Sequence, residues 1–292
     1  MSDRLFCGTL NNLPIICQEI IGDLILCPKQ NLWGDQRVMV TGALGEIGRV
    51  LISHLHEIGA GIIAVDLADS VTGSSQLGKL LQIDNDQLGI NRYFSTDLRV
   101  DSDIDTLMTG LDEDFPTSVV LLAGIVHSGN LVEQSDLSIR QVIETNLSSQ
   151  LIFAKKVLEV WLRKEIAGNF VLVGSWVGHV PWPGITPYAA SKAGLVAAAR
   201  GIAREYAKYG IRANVIEPGI VNVGMAAKQW ENEPEYRARA QRAIPLRRLQ
   251  EASEVAGGIK FLLSQEAKYM TGSTLLLDGG ASLYPLDPEE NL

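Results

Sequence analysis

The sequence predicts an α/β fold in which a doubly wound, seven-stranded parallel sheet carries helices on both faces. Seven short apolar runs end at glycine or acidic residues, longer segments with helical spacing separate them, and 292 residues suffice for one large domain. The predicted strands are residues 38–40, 61–65, 92–94, 119–122, 170–173, 213–216 and 274–277. The clearest predicted helices are residues 47–58, 139–166, 189–209 and 253–263.

Composition excludes several classes of partner. A net charge of −9 argues against a nucleic-acid or anionic-membrane surface. No apolar run reaches the roughly 18 residues that span a bilayer. The three cysteines, Cys7, Cys17 and Cys27, match no metal-binding spacing and indicate reduced thiols in a cytoplasmic protein. The predicted partner is therefore a small molecule, and no metal site is predicted.

Residues 1–33 precede the first clear strand and differ in pattern from residues 34–292. Their isoleucines and leucines gain from burial, so we expect an N-terminal extension that packs on the domain or at a subunit contact. A partly ordered tail is the alternative. The remaining residues show no internal repeat and no linker, which predicts a single domain.

A glycine-rich loop follows the first predicted strand and opens a helix. It reads Thr-Gly-Ala-Leu-Gly-Glu-Ile-Gly, with glycines at Gly42, Gly45 and Gly48. Such a loop lets the backbone approach a pyrophosphate, and the helix N-terminus offers free N–H groups to it. The context favours a dinucleotide site. A glycine-rich turn in an ordinary α/β protein is the alternative.

Two carboxylates follow the next two strands. Asp66 is placed to accept hydrogen bonds from both hydroxyls of an adenosine ribose and to repel a 2′-phosphate. No Arg or Lys follows in residues 67–70, so NAD(H) is predicted over NADP(H). Asp97 is a candidate neighbour of the adenine amino group. For Asp66, a simple turn cap is the alternative.

Four residues form the candidate catalytic set. Tyr188 and Lys192 stand four apart in a helical segment and share a helix face. An ammonium and an oxidised nicotinamide both lower the pKa of the phenol towards neutrality, which suits a general acid and base. Ser175 ends a strand and can bond the reacting oxygen. Asn146 is a poor helix residue, which indicates either a buried polar role near Lys192 or a helix bend.

These residues resemble the short-chain dehydrogenase/reductase family, over about residues 36–280. The resemblance implies a single-domain Rossmann fold, a tetrad of Asn146, Ser175, Tyr188 and Lys192, and hydride transfer to or from a nicotinamide. Lys192 would also bind the nicotinamide ribose, and Asn146 would anchor a proton-relay water. The implied cofactor residues are Gly42, Gly45, Glu46, Ile47, Gly48, Asp66, Asp97, Leu98, Ala123, Gly124, Tyr188, Lys192, Pro218, Gly219 and Val221.

Three departures from the family pattern stand out. The glycine spacing is that of the extended, sugar-nucleotide branch, and Glu46 stands where the single-domain branch usually has glycine. Leu121 and Leu122 replace a pair of asparagines. Val223 replaces a threonine that often bonds the nicotinamide, which leaves the backbone of residues 220–221 for that role. Chain length favours the single-domain branch, whose members commonly form homotetramers.

The segment between Ser175 and Tyr188 is expected to line a substrate pocket through Trp176, His179 and Trp182. The alternative is that the tryptophans pack the segment itself. Residues 224–245 are expected to form a lid.

The leading hypothesis is an NAD(H)-dependent oxidoreductase acting on a secondary alcohol or ketone, with Tyr188 as general acid and base. The alternatives are an NAD-dependent sugar-nucleotide epimerase or dehydratase, suggested by the glycine spacing, and a non-catalytic NAD-sensing protein.

Overall fold

A computed structural model describes residue 33 and residues 36–82, 91–111, 114–180 and 182–283. Within them lie seven strands, one at each predicted apolar run. They are β1 (Arg37–Thr41), β2 (Gly61–Asp66), β3 (Arg92–Ser95), β4 (Ser118–Leu121), β5 (Asn169–Val173), β6 (Arg212–Pro218) and β7 (Thr274–Leu277). The predicted N-terminal extension falls outside the described residues, apart from Trp33.

The seven strands form one parallel sheet in the order β3-β2-β1-β4-β5-β6-β7. The predicted doubly wound, seven-stranded parallel sheet is therefore confirmed. The chain runs outward from β1 in one direction and from β4 in the other. This reversal leaves a crevice at the carboxyl ends of β1 and β4, where ligands bind in open α/β sheets.

Helices connect the strands on both faces of the sheet. They are α1 (Glu46–Glu57), α2 (Ser70–Leu81), α3 (Asp101–Leu111), α4 (Asp136–Ile143), α5 (Ser149–Arg163), α6 (Thr186–Tyr206), α7 (Gly224–Asn232), α8 (Pro234–Ala243) and α9 (Ala252–Leu263). The predicted helix at 139–166 is two helices, because a π-helical turn at Glu144–Ser148 separates α4 from α5. The predicted lid at 224–245 contains α7 and α8.

Two hydrophobic clusters cover the two faces. One packs α1, α2 and α9 on the sheet, and the other packs α3, α5 and α6. Neighbouring side chains of β1 lie on opposite faces of the sheet. Val38 and Val40 belong to the first cluster and Met39 to the second, because successive side chains of a strand alternate between its faces. Burial on both faces explains why the strands are continuous apolar runs. Among the described residues, no helix is long and apolar enough to cross a membrane.

Candidate active site

The glycine loop lies at the crevice between β1 and β4. Gly42 has a φ of +66°, and a Cβ there would lie 2.9 Å from the Cα of Ala123. Thr41 joins the two strand ends, since its Oγ1 accepts hydrogen bonds from Leu122 N (3.1 Å) and Ala123 N (3.2 Å). Glycine at position 42 thus gives the backbone both the conformation and the close approach that the loop needs.

A cleft of about 550 Å³ opens above this loop. Most of the predicted cofactor residues line it, including the three loop glycines, Asp66, Asp97 and Ala123. The Asp66 carboxylate is fixed by two backbone groups: Oδ2 accepts from Leu44 N (2.8 Å) and Oδ1 from Leu67 N (2.7 Å). It therefore stands at the end of β2 in a set orientation beside the cleft.

Arg99, which the sequence analysis did not single out, also lines this cleft. Its guanidinium holds Asp97 at both oxygens, Nε to Oδ1 at 2.9 Å and Nη2 to Oδ2 at 2.6 Å. Hydrogen bonds from the Arg99 side chain hold the pKa of Asp97 below its usual value. The expected contact of Asp97 with adenine stays a prediction, and this carboxylate already has a bidentate partner.

A second cavity, of about 210 Å³, adjoins the cleft and shares Gly124 with it. Ser175, Tyr188 and Lys192 line it together. The Ser175 hydroxyl lies close enough to the Tyr188 phenol to lower its pKa. The Lys192 Nζ donates to the Val173 carbonyl (2.7 Å) and lies 5.5 Å from the centroid of the Tyr188 ring. Three of the four predicted catalytic residues therefore share one cavity beside the glycine loop.

Burial dominates the titration of this cavity. It raises the pKa of the Tyr188 phenol, which the nearby Ser175 hydroxyl opposes. It lowers the pKa of Lys192 to about 8. Burial therefore outweighs the lowering contribution in the protein by itself, and the lowering of the Tyr188 pKa by Lys192 and an oxidised nicotinamide stays a prediction. Removing the phenol and the ammonium from water disfavours the charged form of each.

Asn146 lies in the π-helical turn and is fully buried. It pairs with the Ile125 backbone, since Oδ1 accepts from Ile125 N (2.8 Å) and Nδ2 donates to Ile125 O (2.8 Å). Its Nδ2 also lies 3.2 Å from Ser191 Oγ. Asn146 thus has both features inferred from the sequence: a break in the helix and a buried polar role. Its part in a proton relay stays a prediction.

Asn146 and Lys192 approach the same point of the cleft wall. A Cβ at Gly124 would lie 3.2 Å from Asn146 Oδ1 and 3.5 Å from Lys192 Nζ. The fourth predicted catalytic residue is therefore beside the other three, although its amide is directed to Ile125. Glycine at position 124 leaves space between these two polar groups.

The carboxyl end of β6 supplies Pro218, Gly219 and Val221 to the wall of the smaller cavity. Gln250 fixes this turn, because its Oε1 accepts from Gly219 N (3.0 Å) and its N donates to Ile220 O (2.9 Å). The Ile220 carbonyl thus already has a partner. Gln250 is a further residue that the sequence analysis missed.

The three expected substrate residues make their contacts outside the two cavities. Trp176 is 3% exposed and belongs to a small hydrophobic cluster, and its ring meets that of Trp182 edge-on at 5.5 Å. His179 bonds Glu217, with Nε2 2.6 Å from Oε2. Trp176, His179 and Trp182 line neither the cleft nor the smaller cavity, and their role towards a substrate stays a prediction. The alternative, that the tryptophans pack the segment itself, describes Trp176.

Trp182 contacts the predicted lid instead of the cavity. The guanidinium of Arg239 on α8 lies 4.7 Å from the Trp182 ring centroid and 5.7 Å from that of Tyr236. Cation–π contacts of this kind stabilise by about 0.5–1 kcal/mol when exposed. The contact between Arg239 and Trp182 joins α8 to the segment between Ser175 and Tyr188, whereas that between Arg239 and Tyr236 lies within α8.

The fold and the site define the class of protein. A family model described as Enoyl-(Acyl carrier protein) reductase matches residues 42–282. The chain belongs to the short-chain dehydrogenase/reductase family and is an oxidoreductase. The resemblance noted in the sequence is thereby confirmed, while the assignment of the glycine spacing to another branch stays an interpretation.

Particular relatives are reductases and dehydrogenases. The 3-oxoacyl-(acyl-carrier-protein) reductase FabG of Salmonella typhimurium is 33% identical over 245 residues, which cover 83% of this chain and 95% of the relative. The 3beta-hydroxysteroid dehydrogenase 1 of Eggerthella lenta is 36% identical over 146 residues, 50% of this chain and 56% of the relative.

Solved structures agree with this assignment. A 4-hydroxyisoleucine dehydrogenase complexed with NADH is 25% identical, with a TM-score of 0.77 over 86% of this chain and 100% of that one. A short chain dehydrogenase from Leptospira borgpetersenii with bound NAD+ is 24% identical, with a TM-score of 0.75 over 86% of this chain and 94% of that one, a likeness of fold.

Proposed function

We propose that the protein transfers a hydride between NAD(H) and a secondary alcohol or ketone, with Tyr188 as general acid and base. The observation that carries this proposal is the placement of Ser175, Tyr188 and Lys192 in one cavity that adjoins the glycine-loop cleft. The family supports the reaction class. The NADH complex of the 4-hydroxyisoleucine dehydrogenase supports the cofactor.

The cleft fits a dinucleotide. The three loop glycines line the cleft at the N-terminus of α1, where free backbone N–H groups favour a phosphate. The N-terminus of α1 would hold the pyrophosphate, Asp66 the adenosine ribose, and the backbone at residues 123–124 and 221 the nicotinamide end. When bound, the nicotinamide supplies or accepts the hydride.

Tyr188 moves the proton. Its phenol donates to the carbonyl oxygen during reduction and takes the hydroxyl proton during oxidation. The Ser175 hydroxyl, which lines the same cavity, bonds the substrate oxygen and stabilises charge on it. The Lys192 ammonium, held by Val173 O, offers a nearby positive charge when Tyr188 loses its proton.

The proposal of NAD(H) rather than NADP(H) as the cofactor depends on Asp66. A ribose diol gives its carboxylate two donors, whereas a 2′-phosphate brings negative charge against it. We expect Asp66→Ala to reduce the preference for NADH over NADPH at least about tenfold, the equivalent of about 1.4 kcal/mol. Asp66→Asn keeps the shape and removes the charge, so it should relax the rejection of NADPH. Both affinities are measured by NADH and NADPH fluorescence. Equal affinities in the unmodified protein would refute this role.

A homo-oligomer is part of the proposal. Apolar side chains are exposed on α5 and β7: Leu151 is 41%, Ile152 39% and Leu276 40% exposed. A second copy of the chain covering these residues would remove apolar surface from water. Light scattering of the purified protein measures its mass, and a monomer at micromolar concentration would contradict an oligomer.

The reaction is tested with NADH and a panel of ketones that includes ethyl acetoacetate and cyclohexanone. The proposal expects loss of NADH absorbance in a one-to-one ratio with alcohol formed. The epimerase alternative expects tightly bound dinucleotide and no net consumption of NADH. No turnover on the ketone panel, or on the matching alcohols with NAD, would favour the sensing protein.

A further inference from the structure

Glu217 is a buried carboxylate that the proposed mechanism does not use. It lies on β6 and is fully buried. Its Oε2 lies 2.6 Å from Nε2 of His179, and its Oε1 has no hydrogen-bond partner among the described residues. Burial raises the pKa of Glu217, and the nearby His179 opposes that rise. A buried carboxylate with one partner depends on that partner, because nothing else compensates its loss of hydration.

Close packing restricts the Glu217 side chain. A Cβ at Gly174 would lie 3.0 Å from Glu217 Cγ and 3.4 Å from its Oε1, so the backbone of that glycine packs directly on the carboxylate. Arg200 on α6 and Asp278 after β7 are the other charged groups that act on it. The side chain of His179 is 47% exposed, so His179 reaches the buried carboxylate from the surface.

His179 and Glu217 lie on two different segments, and each segment also contributes residues to the smaller cavity. His179 lies between Ser175 and Tyr188, four residues after the first and nine before the second. Glu217 directly precedes Pro218, which lines the smaller cavity. The His179–Glu217 bond therefore joins the segment that carries two of the candidate catalytic residues to the strand that ends at the cavity wall.

We propose that His179 and Glu217 are positioning residues that hold the 175–188 segment against β6 and so set the placement of Ser175 beside Tyr188 in the smaller cavity. Without the His179–Glu217 bond, Val180, Trp182 and Ile185 still pack on a small hydrophobic cluster, and Gly129 N still donates to Gly184 O (2.9 Å). These contacts leave the His179 end of the segment without its polar attachment to β6. The effect on catalysis rests on the proposed function, whereas the effect on the order of the segment does not.

Hydrogen exchange of peptides covering residues 175–188 tests the positioning role. We expect His179→Ala to speed exchange there at least about tenfold. His179→Gln keeps an N–H donor for Glu217 and should stay within about threefold of the unmodified protein. His56→Ala, on α1, is the matched control and should leave these peptides unchanged. Equal exchange in His179→Ala and the unmodified protein would overturn the proposal, as would equal acceleration in the Ala and Gln variants.

His179→Ala leaves the buried Glu217 carboxylate without its partner, which could unfold the whole protein. A second variant separates that effect from a local one. His179→Ala with Glu217→Gln removes that charge as well as the bond. We expect normal exchange in β1 and β4 and fast exchange in 175–188. Slow exchange in 175–188 would show that the bond is not what orders the segment.

Turnover of ethyl acetoacetate with NADH separates the effect of His179 on catalysis from its effect on the order of the 175–188 segment. We expect His179→Ala to lower kcat at least about tenfold with little change in NADH affinity, and His179→Gln to restore it. Faster exchange with undiminished kcat would refute the link to Tyr188. An unmodified protein without turnover on the whole ketone panel and the matching alcohols would refute the proposed function, and the exchange result would still decide the positioning role.

Discussion

Replacing Lys192 with methionine should change how stability depends on pH. Lys192 is 4% exposed, and this burial lowers the pKa of its ammonium. Methionine has a similar length and no charge, so it removes the cost of burying the ammonium. The same change removes the hydrogen bond to Val173 O (2.7 Å).

The size of the effect follows from the two pKa values. The pKa of about 8 in the folded protein lies below the ordinary lysine value of 10.5, and this difference corresponds to about 3 kcal/mol. Because the folded pKa is the lower one, the penalty is fully present below pH 8 and disappears as pH rises towards 10.5. A bond from a charged donor contributes about 1.5–3 kcal/mol, which offsets most of that penalty at neutral pH.

Urea unfolding, followed by tryptophan fluorescence between pH 7 and about 10, measures the difference between the variant and the unmodified protein. Near pH 7 the two should differ by less than about 2 kcal/mol, and the difference should shift by about 2–3 kcal/mol in favour of the unmodified protein towards pH 10. Lys79→Met, at an exposed lysine on α2, is the control and should show no such shift. A pH-independent difference for Lys192→Met would refute the burial argument.

Two further predictions concern the glycine loop. Gly42→Ala should lower the free energy of unfolding by about 2–4 kcal/mol, because φ is +66° and the added Cβ lies 2.9 Å from the Ala123 Cα; a urea midpoint close to the unmodified one would contradict this. Glu46→Gln should tighten the binding of ADP-ribose about threefold to tenfold, since the Glu46 carboxylate lines the cleft where the phosphates would lie. The same change should leave adenosine binding unaltered, and unchanged or weaker binding of ADP-ribose in calorimetry would count against it.

The sheet was predictable from the sequence because each strand is buried on both faces and reads as a continuous apolar run. Helices α2 and α3 were harder to identify. Each mixes few apolar residues with many serines, threonines, glycines or aspartates, which are weak helix formers. The π-helical turn was not predictable either. It depends on the pairing of Asn146 with the Ile125 backbone, which is 21 residues away.

The candidate site also contains residues that local sequence spacing identifies and residues that only long-range contacts bring together. Tyr188 and Lys192 are found locally, because a spacing of four on a helix places them on one face. His179 and Glu217 are 38 residues apart and meet only because β5 and β6 pair in the register that aligns Val173 with Ile216. A local pattern assigned His179 to the substrate, whereas a long-range contact directs it to Glu217.

Tyr188 transfers the proton in the proposed reaction. Tyr188→Phe removes one oxygen from a residue whose ring stays packed beside Lys192. The measurement is single-turnover reduction of ethyl acetoacetate by NADH, with NADH affinity determined on the same sample. We expect the rate to fall at least about a hundredfold while NADH affinity stays within about threefold. Turnover at the unmodified rate with unchanged NADH binding would contradict the account.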